Sequence, residues 1–374
     1  MAKRKSSISN VSLLKWKEPI SVVYSNSAEL IRPFCFNYGQ ANDTPQGSNF
    51  HSYYISLEDS PENKGFCSSI TILFNLIQDA FLFVRRSFFA LLGAVSGNSL
   101  AGRAAQLTQV QNFGDNPSGT GMYIYVPTKL AAKPPIIVAI HYCTGTAQAY
   151  YQGSPYAQLA DQKGFIVIYP SSPHSGTCWD VSSQKSLKHN GGGDSNAIAN
   201  MVTYALKKYN ADPKKVFVTG SSSGAMMTNV MAATYPELFA AATAYSGVPA
   251  GCFVSSSGAV DAWNSTCAQG NVDQSAAYWT NVVKNMYPGY SGARPRFQVY
   301  HGSIDTTLRP NNYRESIKEW TGVFGFDATK PQTVKNNFLP MDTLLISGVQ
   351  GISALNVGHT VPINGAQDMA WFGL

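Results

Sequence analysis

Hydrophobic positions beyond about residue 107 follow two different patterns along the chain. Continuous apolar runs at Pro135–His141, Phe165–Tyr169 and Val216–Val218 predict parallel strands that are buried on both faces. Between these runs, apolar residues three and four positions apart predict helices over 153–164 and 196–209. Strands that alternate with helices predict an α/β fold, with a mostly parallel central sheet and helices on both faces.

The same two patterns continue to the C-terminus with less regularity. Further elements are predicted as an antiparallel edge strand at Gly121–Val126, strands at Phe239–Ser246, Arg296–His301 and Val349–Asn356, a helix at Asn311–Phe324 and a short C-terminal helix. The stretch before Met286 has a looser pattern, and residues 327–348 fit neither pattern.

Residues 1–83 differ from the rest because they are polar, rich in Ser and Asn, and show no sustained periodicity. After them come Arg85 and Arg86, the apolar run Phe88–Val95 and a zone of small residues, the order found in secretory signal peptides. We therefore expect 1–103 to be a non-globular extension that contains a misplaced signal peptide at about 84–103, with 1–83 a gene-model artefact. An ordinary amphipathic helix is the alternative. Residues 104–374 form the expected globular domain.

Composition narrows the possible partners. Charged residues make up 13% of the chain and aromatic residues 12%, which suits a secreted protein that faces carbohydrate. The net charge of +6 is scattered, so we expect no nucleic-acid partner. The apolar run from Ile70 to Val84 is short and interrupted, so we expect no membrane association after processing. The six cysteines lack zinc-like spacing, which predicts no metal and allows disulfides.

A Gly-x-Ser-x-Gly motif stands between the strand that ends near Val218 and an apolar helical stretch. Gly220, Ser222 and Gly224 form the motif. In this setting the serine lies on a tight strand-to-helix turn that presents its hydroxyl, and small neighbours leave room for that turn. The motif is short, so a plain Gly/Ser turn is the alternative unless an acid and a histidine follow.

Both partners follow in the chain order of α/β-hydrolases, which is serine, acid, histidine. Asp305 comes directly after the strand that ends at His301, and His359 follows the strand predicted at 349–356. A carboxylate that orients an imidazole, which in turn deprotonates a serine, is the catalytic triad arrangement. Ser222, Asp305 and His359 are therefore the candidate catalytic residues, and Glu315 and Asp327 are less suitable acids. Taken singly, Asp305 could be a turn former and His359 an ordinary core or surface side chain.

Acyl transfer also needs two backbone N–H groups that face the developing oxyanion. We expect one from Ser223, directly after the nucleophile, and the other from Cys143, with Thr144 as the neighbouring option. Trp179 is either a platform for a sugar ring or a core side chain. The loop from Asn190 to Asp194 lacks the Lys-Ser/Thr of a phosphate loop and is interpreted as a flexible loop near the site.

Longer stretches carry a resemblance to a known family. They are HYCTGTAQAYY, IVIYPSSP, CWDVSS, HNGGGDSNAIANMV, VFVTGSSSGAMMTNVMAATYPELFAA, YSGVPAGC, WNSTCAQG, YHGSIDTTLRPNNY and NVGHTVP. Together these segments closely resemble the fungal acetylxylan esterases of carbohydrate esterase family 1, whose relatives include feruloyl esterases. The resemblance runs from about residue 104 to the end and implies an α/β-hydrolase fold. It places Ser222, Asp305 and His359 at the triad positions.

The resemblance also implies disulfides between Cys143 and Cys178 and between Cys252 and Cys267. Asn264 begins an Asn-Ser-Thr glycosylation sequon within the second loop. Residues 331–348 read unlike the family's usual segment, so a misfold there would threaten the position of His359.

These observations predict a secreted, monomeric serine esterase that removes acetyl groups from xylan and needs no cofactor. A feruloyl or broader carboxylic esterase with the same triad is one alternative. A polysaccharide-binding protein that has lost catalysis is the alternative from another class.

Overall fold

The computed structural model describes residues 105–337, 341–346 and 348–374. The extension predicted at 1–103, with its signal peptide at about 84–103, lies outside the described residues. Within these ranges, no helix is both long enough and apolar enough to cross a membrane.

A single mixed sheet forms the centre of the described domain, in the order β1-β2-β4-β3-β5-β6-β7-β10-β9-β8. The strands are β1 Thr108–Val110, β2 Gly121–Tyr125, β3 Ile136–Ile140, β4 Ile166–Ser171, β5 Val216–Ser221, β6 Ala241–Tyr245, β7 Arg296–Gly302, β8 Thr333–Asn337, β9 Met341–Ile346 and β10 Val349–Ala354. Strands β4, β3, β5, β6, β7 and β10 run parallel, while β1, β2, β9 and β8 pair antiparallel at the two ends.

Helices cover both faces of this sheet. They are α1 Ala147–Gly153, α2 Tyr156–Lys163, α3 Asp194–Tyr209, α4 Ser223–Thr234, α5 Ser265–Ala268, α6 Ala276–Met286, α7 Asn311–Val323 and α8 Gly365–Phe372. Strand β3 illustrates why both layers are needed. Its residues Ile136, Val138 and Ile140 enter one core, and Ile137 and Ala139 enter the core on the opposite face. Since all five are fully buried, the continuous apolar run is explained, and the fold is that of an α/β-hydrolase.

The structure corrects one expectation from the sequence and shows regular elements in two stretches that the patterns left unassigned. The strand predicted at Gly121–Val126 is not an edge strand, because β1 pairs outside it. The looser stretch before Met286 holds helices α5 and α6. Helix α5 is a single turn, but α6 buries Trp279, Val283 and Met286, whose spacing of four and three positions is a helical signal that the sequence interpretation overlooked. Residues 327–348, which fitted neither pattern, supply β8 and β9, and these extend the sheet beyond β10.

Candidate active site

The turn between β5 and α4 places Ser222 at the carboxyl end of the central strands. Its backbone has φ +54° and ψ −119°, a conformation that side-chain-bearing residues rarely adopt. The turn is tight enough that a Cβ on Gly220 would lie 2.4 Å from the Gly224 carbonyl oxygen, and one on Gly224 would lie 2.1 Å from the Ile140 carbonyl oxygen. Only glycine fits at either position, which explains the Gly-x-Ser-x-Gly motif.

His359 lies in the loop between β10 and α8 and faces Ser222. Its Nε2 is 2.8 Å from the Ser222 hydroxyl oxygen, and its Nδ1 is 2.8 Å from a carboxylate oxygen of Asp305. Because a carboxylate only accepts hydrogen bonds, Nδ1 carries the proton and Nε2 is free to accept from the serine. The chain therefore brings all three predicted triad residues into one hydrogen-bonded row.

Asp305 lies in the loop after β7 and is only 1% exposed. Its Oδ1 accepts the backbone N–H groups of Thr307 at 2.8 Å and Leu308 at 2.9 Å. Its Oδ2 faces His359 Nδ1 at 2.8 Å and His301 Nε2 at 3.3 Å. Burial by itself would raise the pKa of the Asp305 carboxyl, but hydrogen bonds from His301, His359 and the Leu308 N–H hold that pKa well below its usual value. The Asp305 carboxyl is therefore ionised at neutral pH and can pair with the imidazole.

The two less suitable acids have other partners. Glu315 accepts the Trp279 indole N–H at 2.8 Å and pairs with Lys318 at 2.7 Å. Asp327 pairs with Lys330 at 3.2 Å on the exposed surface. Within the described ranges, neither carboxylate bonds to His359, whereas Asp305 lies within hydrogen-bond distance of it.

Two backbone N–H groups near Ser222 are available to a bound oxyanion. Ser223 begins α4, and the first N–H groups of a helix have no acceptor within the helix. In the part of the chain that the structure describes, neither the Ser223 N–H nor the Cys143 N–H has a hydrogen-bond partner. The Thr144 N–H, by contrast, donates to the Gly176 carbonyl oxygen at 2.7 Å. This bond favours Cys143 over the neighbouring option.

A cavity of about 820 Å³ opens over Ser222 and His359. Apolar and aromatic side chains dominate its wall. They include Tyr142, Val181, Met226, Phe253, Trp263 and Leu308. The cavity is much larger than an acetyl group and leaves room for the body of a larger ester substrate.

Trp179 borders this cavity, but its side chain is only 1% exposed and its indole N–H donates to the His141 carbonyl oxygen at 2.8 Å. That burial favours the core interpretation, and the sugar platform stays a prediction. Sequence reasoning overlooked Trp263, which is 57% exposed on the cavity wall. No local pattern separates an exposed tryptophan from a buried one, so the sequence offered no signal for this difference.

The glycine loop that ends at Asp194 is held in place rather than free. The Asp194 carboxylate accepts from His174 at 2.8 Å and from the Asp180 N–H at 3.0 Å. A Cβ on Gly193 would lie 2.2 Å from the Ser186 hydroxyl oxygen. Close packing of the backbone therefore explains Gly193, and these contacts fix the end of the loop at Asp194. Flexibility of the rest of the loop stays a prediction.

Disulfides join Cys143 to Cys178 and Cys252 to Cys267, the pairs that the resemblance implies. Asn264 caps α5 by accepting the Cys267 N–H at 3.0 Å, and its amide nitrogen donates to the Cys252 carbonyl oxygen. Glycosylation of Asn264 stays a prediction.

Across the described residues, no group of three or more His, Cys, Asp or Glu side chains is arranged to hold a metal ion.

A profile of the family named esterase PHB depolymerase matches residues 121–333, more than half of the chain. The chain belongs to this esterase family. The esterase is 66% identical over 292 residues to the probable acetylxylan esterase A of Aspergillus fumigatus, covering 77% of this chain and 79% of that protein. It is 62% identical over 306 residues to acetylxylan esterase A of Talaromyces purpureogenus, covering 81% and 80% respectively.

One solved structure is also similar over most of the domain. The acetyl xylan esterase from Aspergillus awamori shares 64% sequence identity with the esterase, at a TM-score of 0.71. The match covers 72% of this chain and 99% of that one. The similarity therefore spans the described α/β-hydrolase domain.

Proposed function

We propose that this protein is an extracellular serine esterase that removes acetyl groups from xylan. The observation that carries the proposal is the row from Asp305 through His359 to Ser222, with both hydrogen bonds at 2.8 Å, on the wall of a large cavity. The relatives support the substrate class, since the three described above are named as acetylxylan esterases, one of them as a probable one.

In the proposed reaction, the Ser222 hydroxyl oxygen attacks the acetyl carbonyl while His359 Nε2 takes the hydroxyl proton. Asp305 stabilises the imidazolium that forms. His359 then gives the proton to the departing sugar oxygen, which leaves an acetyl group on Ser222. A water molecule, deprotonated by the same imidazole, then attacks the acyl carbon. The bond from this carbon to the Ser222 oxygen breaks, His359 returns the proton to that oxygen, and acetate leaves.

The backbone N–H groups of Cys143 and Ser223 serve as the oxyanion donors in this proposal. Its support is that both groups lack an acceptor within the described domain, whereas the Thr144 N–H is already bonded. Preorganised donors of this kind act most strongly where charge develops in the transition state. The Cys143–Cys178 disulfide supports this loop, because it ties the donor residue to a second loop on the cavity wall.

Extracellular location is supported by the two disulfides, which form and persist in oxidising compartments. We further propose that the esterase acts as a monomer without a metal or organic cofactor. The reaction described above needs only side chains, backbone N–H groups and water.

A broader carboxylic or feruloyl esterase is the second candidate. The cavity volume of about 820 Å³ and its apolar wall favour it, since an acetyl group fills only a small part of that space. Turnover on matched acetyl and feruloyl esters separates the two functions. A higher kcat/KM for the feruloyl ester would overturn the acetyl preference.

The alternative of a polysaccharide-binding protein without catalysis depends on residues 331–348, because a misfold there would displace His359. Strands β8 and β9 from that segment pair onto the sheet edge, and His359 stays within 2.8 Å of Ser222. No feature of the described domain therefore favours loss of catalysis.

Ser222→Ala tests the proposed function directly. We expect release of acetate from acetylated xylan to fall by about 10⁴-fold or more, because no nucleophile remains. The matched control is Ser221→Ala, which removes the neighbouring hydroxyl, bonded to Tyr150 at 2.9 Å, and leaves the triad intact. Substantial acetate release by the Ser222 variant would refute the assignment.

A further inference from the structure

A buried carboxyl that the proposed reaction does not use lies behind the active site. Asp368, on α8, is fully buried. Its Oδ1 accepts the Tyr245 hydroxyl at 2.8 Å, and its Oδ2 accepts the Tyr156 hydroxyl at 2.8 Å. A buried carboxyl with two tyrosine donors is costly to place in a core, so the network calls for a physical explanation.

Tyr245 bonds to the backbone of Ser222 and to the loop that carries His359. Its carbonyl oxygen accepts the Ser222 N–H at 2.8 Å, which holds the strained nucleophile turn. Its hydroxyl oxygen accepts the Asn364 N–H at 3.0 Å, at the end of the loop that carries His359. A single residue at the end of β6 therefore links the turn of the nucleophile, through its backbone carbonyl, to the loop of the base, through its hydroxyl.

Asp368 determines the direction of that hydroxyl. A tyrosine hydroxyl has one proton to donate, and here it goes to Asp368. The oxygen lone pairs then face the Asn364 N–H, so the two hydrogen bonds reinforce each other. The loop is also held by packing, because Val361 lies in the same apolar cluster as Tyr245 and Tyr300.

The second arm of the network reaches the strand of the nucleophile. Tyr156, which donates to the other Asp368 oxygen, is also 3.1 Å from the Thr219 hydroxyl on β5. Thr219 lies three positions before Ser222 on the same strand and turn. Asp368 thus joins the strand that presents the serine to the residue that holds the histidine loop.

We propose that Tyr245 is a positioning residue whose hydroxyl, directed by Asp368, fixes the His359 loop at hydrogen-bond distance from Ser222. The inference rests on the proposed roles of Ser222 and His359. Without this hydroxyl, the Asn364 N–H loses its acceptor, and the C-terminal end of the loop is held by packing. The bonds of Asn356, Val357 and His359 to the loop after β7 remain. Misplacement of a catalytic group by about 1 Å costs roughly 100-fold in rate. Because only one hydrogen bond to the loop is lost, we expect a smaller but measurable decrease in rate.

The test compares Tyr245→Phe with Tyr300→Phe in the full chain. The two rings are stacked with centroids 4.4 Å apart, and the Tyr300 hydroxyl donates to Gln367, on the same helix as Asp368. Each variant thus removes one hydrogen-bonded hydroxyl from the same stack. Only Tyr245, however, bonds to the loop of His359.

We expect Tyr245→Phe to lower kcat for 4-nitrophenyl acetate by roughly 10-fold, with KM changed less than about twofold. The second readout is the rate at which diethyl 4-nitrophenyl phosphate inactivates the protein. There the Ser222 oxygen bonds to phosphorus and 4-nitrophenolate leaves, so the rate reports the Ser222–His359 pair whatever the natural substrate. Tyr300→Phe should keep both rates within about twofold of wild type.

The inference is overturned if Tyr245→Phe keeps both rates, or if Tyr300→Phe loses them equally, since the hydroxyl would then have a structural role only. Failure of the proposed function looks different. In that case the wild-type protein releases no acetate from xylan, but diethyl 4-nitrophenyl phosphate still inactivates it. Of the two variants, only Tyr245→Phe is then inactivated more slowly than wild type.

Discussion

Asp305 and Asp368 are both buried, at 1% and 0% exposure, yet burial has opposite outcomes at the two sites. At Asp305, hydrogen bonds from His301, His359 and the Leu308 N–H outweigh the cost of burial and hold the pKa well below its usual value. At Asp368, burial dominates and raises the pKa to about 7, although hydrogen bonds from Tyr156 and Tyr245 act to lower it.

The difference lies in the donors. Asp305 faces two imidazoles and two backbone N–H groups, and its partner His359 can carry a positive charge. Asp368 faces two tyrosine hydroxyls, which remain neutral because burial raises their own pKa values well above the usual range. The number and charge of the donors, and not burial alone, therefore decide which carboxyl stays ionised. One site can polarise an imidazole, and the other can only hold hydroxyl groups in place.

The largest expected effect comes from removing the charge at the first site. In Asp305→Asn, the amide oxygen takes the place of Oδ1, which accepts the N–H groups of Thr307 and Leu308. The amide NH₂ then faces His359 Nδ1 as a donor. This moves the imidazole proton to Nε2, so the imidazole can no longer accept the proton of Ser222.

We expect kcat for acetyl ester hydrolysis to fall by about 10⁴-fold, as a wrong tautomer causes in other triads. Steady-state kinetics measures the loss, and circular dichroism verifies that the variant is folded. A loss smaller than about tenfold would mean that the Asp305 charge is dispensable, and the comparison of the two carboxyls would lose its functional meaning.

The next effect is on the free energy of unfolding, whose dependence on pH has opposite signs at the two carboxyls. Since the folded pKa of Asp368 is raised to about 7, the stabilisation that this carboxyl contributes is lost as pH rises from about 4 to about 7. The shift corresponds to up to about 4 kcal/mol in the free energy of unfolding. Since the folded pKa of Asp305 is lowered, its contribution is present above about pH 4 and is lost as pH falls below that value.

Urea unfolding between pH 4 and pH 8 separates the two contributions. Asp368→Asn does not titrate, so its free energy of unfolding should rise relative to wild type as pH increases across this window. Parallel pH profiles for wild type and variant would contradict the raised pKa of Asp368.

Sequence reasoning located the first carboxyl and overlooked the second, for a physical reason. Asp305 follows a buried strand at the edge of the sheet where parallel strands end, and its chain order relative to Ser222 and His359 is a pattern that a sequence displays. Asp368 is paired with Tyr245 across 123 positions, and no local spacing marks either residue.

The parallel centre of the sheet was also predictable from a local pattern, because β3, β4 and β5 are buried on both faces and appear in the sequence as apolar runs. Strands β8 and β9 read as neither pattern because tertiary pairing determines them.

The smallest expected effect concerns Glu315, the acid that the sequence left open as an alternative to Asp305. In Glu315→Gln, the amide oxygen can keep the Trp279 indole N–H and the Gln274 N–H, but the NH₂ group then faces the Lys318 ammonium. We expect a loss of about 1 kcal/mol in the free energy of unfolding, because Lys318 is partly exposed and the lost ion pair is screened by solvent. The kcat should stay within roughly twofold of wild type, since Glu315 has no bond to the imidazole. The opposite result would be a kcat that falls more than about tenfold in Glu315→Gln but stays near the wild-type value in Asp305→Asn. Glu315 would then be the acid that orients the imidazole, and the distinction between Asp305 and the other buried carboxyls would fail.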